Sequence, residues 1–486
     1  MSRVDPDRCE PGRSSHRWQA LAVCLVASFM TLLDISIVNV ALPSIQAGLR
    51  ASDSALQWVL SGYALTFGLM LVPAGRLGDA RSRRAVFMTG VTLFTLTSAA
   101  CGAAQHEWWL VVARLLQGLA GGLMTPQVSG FIQELFRGAE RGRAFGMLGA
   151  VVGLSTAVGP LLGGVLIQLF GAAEGWRWVF YVNLPIGLAA LPVARRLLPS
   201  RCVKPGVAAR PGGRGFDPLG LFLLGLAVLL ILTPFLQERL WPGWQKWLLG
   251  PLGLVVLLVF FAWERHAAGR IEPLVHMDLF LDRSYALGVL ISLLYFSGFT
   301  AVFFVYTLYL QNGLHYSALL AGLATTPFAL GSALAAAVGG RLVTRFGRAM
   351  VAWGLVVVAT GLLTTMLAVH LVPGPHAGWV AAPPLLLAGL GSGLVITPNQ
   401  TLTLSEVPVV RAGSAGGVLQ TCQRIGSAAG IAAVGAGYFA HLAASGGDWA
   451  ASFQVAMVIC ASFVFAALAV ALYDLFGPGS PRYRRS

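Results

Sequence analysis

Residues 19–45 read QALAVCLVASFMTLLDISIVNVALPSI, an apolar run interrupted by a single charge, Asp34. About 20 mainly apolar residues let an α-helix cross a hydrocarbon core about 30 Å thick. The run is longer than the apolar region of a cleaved signal peptide and follows Arg3, Arg8, Arg13 and Arg17, so it reads as an uncleaved first span. An ionised carboxylate at mid-span costs about 3 kcal/mol on insertion scales, and groups kept there mark ion pathways or proton relays. Asp34 is therefore the candidate protonation site.

Working outward, apolar runs at 55–74, 85–105, 108–132, 144–169 and 177–194 complete a first set of six. Two further runs, 217–236 and 247–263, look inserted and are separated by the polar stretch Gln237–Lys246. A second six follows at 285–311, 318–340, 350–371, 379–404, 413–440 and 451–474. The expected layout is a tail (1–18), a six-helix bundle (19–194), a loop rich in Pro, Gly and Arg (195–216), and an inserted pair (217–263). A loop (264–284), a second six-helix bundle (285–474) and a tail (475–486) complete it. This is an all-α integral membrane protein with fourteen transmembrane helices. Of 486 residues, 56% are hydrophobic and 11% charged, against roughly 25% charged in soluble domains. With a mean hydropathy of +0.74, a soluble protein is excluded.

The net charge of +14 raises the question of nucleic acid, which the distribution of the 33 basic residues answers. With the N-terminus in the cytoplasm, four fall outside (Arg50, Arg177, Arg239, Lys246) and two inside spans (Arg114, Arg424), leaving 27 on the cytoplasmic side. That is the positive-inside asymmetry of a multi-pass protein in the cell membrane with both termini cytoplasmic, and no nucleic-acid partner is expected. The six cysteines form no Cys-x-x-Cys pair, the eight histidines show no metal-binding spacing, and neither Lys204 nor Lys246 sits in a P-loop. No nucleophile and base can be assembled inside the spans. An enzyme, a metal site, a cofactor and an ATP-driven pump are thus not expected, and the candidate protonation site at Asp34 makes the proton gradient the expected energy source.

The chain repeats itself. Gly75-Arg76-Leu77 with Arg81 and Arg83 recurs as Gly340-Arg341-Leu342 with Arg345 and Arg348, at an offset of 265 residues, or 264 for Arg81. Gly118-Leu119, Gly122-Leu123 and Thr125-Pro126 recur as Gly389-Leu390, Gly393-Leu394 and Thr397-Pro398, offset by 271 or 272. Related six-helix halves point to a transporter that rocks two bundles about a midplane site, and two such halves suffice for a monomer.

Arg114 is the counter-charge expected for Asp34. It shares a helical stripe with Gln117, Gly118 and Gly121, whose glycines let backbones approach, and the stripe should face the first span. The pair reads either as a proton switch or as a fixed salt bridge. In Gly75-Arg76-Leu77-Gly78-Asp79-Ala80-Arg81-Ser82-Arg83-Arg84, Asp79 precedes a helix N-terminus, and Glu134 can pair with Arg83 to hold one face shut. The other reading is a topogenic basic loop. Gly159, Pro160, Gly163 and Gly164 make the fifth span bendable or simply a packing seam. Tyr63, Phe67, Gln117, Tyr295, Phe303 and Tyr306 are candidates to line a substrate cavity.

Taken together these motifs resemble the major facilitator superfamily, and in particular its fourteen-helix drug:proton antiporter family of the EmrB/QacA type, over nearly the full length. The resemblance rests on Leu33–Pro43, Gly75–Arg84, the Arg114, Gln117, Gly118 and Gly121 set, and Gly159-Pro160 with Gly163-Gly164. Trp58, Tyr63, Trp176–Gly187 and Gln423–Gly426 add to it. It implies that Asp34 and Arg114 couple protons, that Gly75, Asp79, Arg83, Arg84 and Glu134 form a cytoplasmic gate, and that Gly159-Pro160 marks antiport. Export of small hydrophobic or cationic compounds is the implied function. Export of an endogenous metabolite or self-made antibiotic, uptake by symport, and a non-transporting receptor are the alternatives. Ala80, Ser82 and Ser155 depart from the family pattern, which usually has Arg, Gly and Gly there.

Overall fold

The computed structural model describes residues 14–171, 174–199, 217–236, 243–267, 275 and 277–477. The expected tails up to residue 13 and from 478, most of the 195–216 loop, Cys9, Cys202 and Arg239 lie outside the described residues. The first half comprises α1 (Ser14–Leu49), α2 (Asp53–Leu77), α3 (Arg83–Gly102), α4 (Glu107–Leu135), α5 (Gly138–Phe170), α6 (Gly175–Tyr181) and α7 (Asn183–Leu197). Then come α8 (Pro218–Leu236) and α9 (Leu249–Ala267). The second half comprises α10 (Arg283–Leu308), α11 (Ala318–Phe346), α12 (Arg348–Leu371), α13 (Ala377–Val380), α14 (Ala382–Thr403), α15 (Ala412–Ala444) and α16 (Trp449–Phe476). Among the described residues there is no strand, and eleven helical segments are long and apolar enough to cross a membrane. The protein is a multi-pass membrane protein.

Helix starts follow local chemistry. Ser52, Ser82, Ser317 and Asp448 accept a hydrogen bond from a backbone N–H of the first turn of α2, α3, α11 and α16. Two expected single runs are broken. The sixth divides at Val182 into α6 and α7, and the run at 379–404 divides into α13 and α14, where Pro383 and Pro384 open the second piece. The expected loop after the second span is largely a π-helical turn at Gly78–Ser82, which ends at an extended Ser82 that caps α3.

The repeat in sequence is a repeat in space. Gly75 of α2 lies so close to α15 that a Cβ would sit 2.3 Å from the Gly413 carbonyl oxygen, and Gly340 of α11 meets the Gly142 carbonyl of α5 at the same 2.3 Å. One turn on, Gly417 faces the Leu71 carbonyl and Gly146 the Ala336 carbonyl. Residues 71 and 75 map to 336 and 340 at the offset of 265, and 142 and 146 map to 413 and 417 at 271. Each half therefore offers the other the same pair of contacts, as a two-fold relation requires.

These contacts lie at the end where α1 begins and α16 finishes and where Arg83, Arg141, Arg348 and Arg411 cluster, called here the basic end. One hydrophobic core runs through both halves there, from Phe87 and Phe131 to Tyr285, Leu404 and Leu419. Toward the far end the cores separate, one built on Val59, Val111 and Trp176, the other on Tyr306, Phe453 and Leu362. The halves are thus packed together at the basic end, while α5 alone follows its partner α11 to the far end, where Gly322 touches Pro160.

Candidate functional site

Asp34 sits mid-way along α1 with no exposed surface. Its Oδ2 accepts from Arg114 Nη1 at 2.6 Å, and its Oδ1 accepts from Gln117 Nε2 and Asn183 Nδ2, each at 3.0 Å. Arg114 is also sealed. It donates to the Val59 carbonyl (3.1 Å) and to Gln117 Oε1 (2.8 Å), and its guanidinium lies 4.1 Å above the Tyr63 ring. Asn183 donates to Ser98 Oγ at 3.0 Å, and Ser98 in turn donates to the Phe180 carbonyl at 2.9 Å. A charge pair in a dry interior needs this full set of partners to offset its desolvation.

Asn183 and Ser98 were not candidates on sequence. The break between α6 and α7 places Asn183 on the first turn of α7, aimed at α1. Its Oδ1 is buried without a hydrogen-bond partner among the described residues. The α4 stripe divides its attention: Arg114 and Gln117 reach α1, whereas a Cβ on Gly118 would strike Thr66 Oγ1 at 2.2 Å on α2, and Gly121 lies between Phe67 of α2 and Thr31 of α1. The stripe therefore fills the groove between α1 and α2 and does not face α1 alone.

The Gly159 and Gly163 pair packs on the same part of α1. A Cβ on Gly159 would lie 1.9 Å from Ser36 Oγ, and one on Gly163 would lie 2.9 Å from Ile37 Cγ1. Ser36 donates to the backbone carbonyl of Ser155 at 3.0 Å, which holds α1 against α5 whatever the side chain at 155. Gly142, Gly146 and Gly153 carry the rest of α5 along α11. Gly164 is partly exposed.

At the basic end, Asp79 does not serve α3, which Ser82 caps. Its two oxygens accept from the backbone N–H groups of Gly413 (3.0 Å) and Ser414 (2.8 Å), in the first turn of α15. A carboxylate there satisfies free N–H groups and the positive end of the helix dipole. Arg83 donates to Asp79 (2.9 Å), to Glu134 (2.7 Å) and to the Val409 carbonyl, tying α3, α4 and the entry to α15 into one cluster. Arg84 stands apart and donates to the Arg195 carbonyl at the end of α7. The second half has its own cluster, in which Arg348 pairs with Asp474 (2.9 Å) and donates to Asn399 Oδ1 (3.0 Å).

Of the expected cavity residues, Gln117 belongs to the Asp34 network. Tyr295 and Tyr306 are buried inside the second half, Tyr306 beside Phe453 with its hydroxyl donating to the Gly378 carbonyl. Phe303 is partly exposed and packs on Phe328. Tyr63 and Phe67 stack on each other along α2, ring centroids 5.9 Å apart. No group of three or more metal-binding side chains occurs among the described residues.

Two related helical halves, the first holding a sealed carboxylate and arginine, match a known family by sequence as well. The profile of the Major Facilitator Superfamily matches residues 24–431. The chain belongs to the Major Facilitator Superfamily. Among its relatives is a probable actinorhodin transporter of Streptomyces coelicolor, 36% identical, the match covering 89% of this chain and 74% of that one. A puromycin resistance protein of Streptomyces alboniger is 35% identical over 88% of this chain and 83% of its own. A cephamycin export protein of Amycolatopsis lactamdurans is 34% identical over 86% and 85%. Among solved structures, the human organic anion transporter MFSD10 (TETRAN) shares the fold with a TM-score of 0.68 at 16% identity, covering 94% of this chain and 99% of that one. This facilitator is a transport protein of the drug-efflux type, and not an enzyme.

Proposed function

We propose that the protein exports small amphipathic compounds across the cell membrane in exchange for protons, by alternating access to a site between its two halves. The observation that carries this reading is Asp34, sealed at mid-span with Arg114, Gln117 and Asn183 on its oxygens. Protonation removes the charge that holds Arg114 and turns one oxygen from acceptor to donor. The partnerless Asn183 Oδ1 can then accept that proton's hydrogen bond once its amide turns over. Ser36 lies half a turn from Asp34 and packs under Gly159, so a shift of α1 is passed to α5 and along it to α11 of the other half. The contact of Asp79 with α15 is the latch that this shift must release.

Fourteen transmembrane helices fit this reading. The eleven apolar segments count Trp58–Gly102 as one, although it holds both α2 and α3. They omit α4, whose Arg114, Gln117 and Glu134 lower its hydropathy, and α8, of which Leu219–Ile231 is the apolar part. An even number puts both termini on one side, and the excess of basic residues makes the basic end cytoplasmic. The conformation described is then closed toward the cytoplasm. Two complete halves support a monomer as the working unit.

Proteoliposomes made acid inside test the proposal with a panel of anionic, neutral and cationic aromatic compounds. Uphill uptake of any member, collapsed by a protonophore, is expected. No accumulation of any member sinks it and favours a protein that keeps the fold without transport. Several relatives are named as exporters of, or resistance proteins against, antibiotics, which makes a self-made antibiotic a natural cargo class to include.

A further inference from the structure

Arg424, on α15, has no part in the network around Asp34. Its guanidinium lies 4.7 Å from the centroid of Phe67, and it has no carboxylate partner among the described residues. The ionisable group within electrostatic reach is the Tyr63 phenol, whose hydroxyl is buried with no hydrogen-bond partner. Arg424 keeps part of its surface exposed.

Its neighbours settle which way this face of α15 points. One turn earlier, Gln420 donates to Ser129 Oγ of α4 at 3.3 Å, and the far side of the Phe67 ring rests near Gly121 of α4. The side of α15 turned outward is a different one: Val418, Cys422 and Ile425 pack with α8. Arg424 therefore lies on the side of α15 that faces α2 and α4. Asp34, the acid of α1, has no exposed surface and is already neutralised by Arg114.

A half-buried guanidinium with no carboxylate partner among the described residues is a natural anchor for an anion, and its planar fork suits an ionised oxygen acid better than a cation. Phe67 packs against the guanidinium, the Tyr63 hydroxyl is partnerless, and the Tyr63–Phe67 stack, buried in this conformation, becomes an aromatic wall when the helices part. We infer that the transport site binds planar aromatic anions, carrying a carboxylate, sulfonate or ionised phenol, with Arg424 as the anchoring charge. This names a substrate class for the export activity proposed above and rests on that reading for transport, though not for binding. It differs from the small hydrophobic or cationic compounds that the family resemblance implies.

The test is equilibrium dialysis of the full chain in lipid nanodiscs, with empty discs as blank and three probes. These are 1-anilinonaphthalene-8-sulfonate, its uncharged counterpart N-phenyl-1-naphthylamine, and the cation ethidium. The sulfonate should bind about tenfold or more tightly than the neutral amine, and more tightly than ethidium. Arg424→Gln should bring the ratio of the two naphthyl affinities toward one, a loss of roughly 10- to 100-fold, the worth of a charge-assisted hydrogen bond. Arg424→Lys should keep part of it. Equal binding of sulfonate and amine by the wild type, tighter binding of ethidium, or a ratio unmoved in Arg424→Gln overturns the inference. The wild-type ratios decide it even if no variant can be made. Because binding needs no gradient, the two readings fail separately. A sulfonate preference without proton-driven flux overturns the antiport alone, and proton-driven ethidium flux without that preference overturns the anion site alone.

Discussion

Replacing Asp34 by Asn removes one charge and one acceptor from a site in which both carboxylate oxygens are engaged. The amide keeps the oxygen that Arg114 needs at 2.6 Å but sets an NH2 against two donors, Gln117 Nε2 and Asn183 Nδ2. Removing one partner of a buried ion pair costs about 3–5 kcal/mol when nothing rearranges. Here relief is at hand. Asn183 can turn its partnerless Oδ1 toward the new NH2, giving up its bond to Ser98, and Arg114 retains the Val59 carbonyl, Gln117 Oε1 and the Tyr63 ring. The net cost is then about 2–4 kcal/mol, one charge-assisted bond and one neutral one, and the protein should insert and fold. What it loses is the proton. Each proton entering down 100 mV brings about 2.3 kcal/mol, enough for roughly a fiftyfold gradient of cargo. In proteoliposomes, Asp34→Asn should abolish accumulation against a gradient while keeping downhill exchange of the same compound, at equal pH on both sides, within about tenfold of wild type. Full uphill export by the variant refutes a proton site at Asp34. Loss of uphill and downhill movement together, in folded protein, identifies the pair instead as a fixed pin between α1 and α4.

Three further outcomes follow from the same geometry. Asn183→Ala should cut uphill export at least about tenfold and spare downhill exchange, measured in the same vesicles, because protonated Asp34 then lacks the acceptor for its O–H hydrogen bond. Asp79→Asn leaves one acceptor for the N–H groups of Gly413 and Ser414 and weakens the pairing with Arg83. A loss of about 1.5–3 kcal/mol should shift the population tenfold or more toward a state open at the basic end, read as a longer spin-label distance between Ala80→Cys and Val410→Cys. Gly159→Ala puts a Cβ 1.9 Å from Ser36 Oγ and 2.7 Å from Ser36 Cβ. It should lower thermal stability by an overpacking cost of about 1–3 kcal/mol and slow transport, and Ser36→Gly in the same chain should restore both.

How much of this could be read in the sequence depends on whether a feature is written in one residue or made by two distant ones. The helices are local: an apolar run of membrane length has few other meanings. Asp34 and Arg114 are likewise conspicuous, since a charge in such a run is expensive enough to need a partner. Asn183 gives no comparable signal. A neutral amide at a span end is unremarkable, and its role arises only when the break at Val182 turns it toward a carboxylate 149 positions away. The partner of Asp79 was hidden more deeply, because the groups it binds are backbone N–H donors of α15, which carry no side-chain signature at all. Its own motif drew attention to the nearer helix start, at α3, and Ser82 had already claimed that one. The glycines lie between these cases. Their recurrence at 265 and 271 residues was visible as pattern, yet that Gly75 meets Gly413 just as Gly340 meets Gly142 required the halves to be brought together. Only the α2–α15 copy of that contact bears an acid, since Thr344 stands where the offset would place Asp79. A two-fold scaffold with a latch on one of its two seams opens asymmetrically, with α5 and α11 remaining in contact as the hinge while α2 and α15 part.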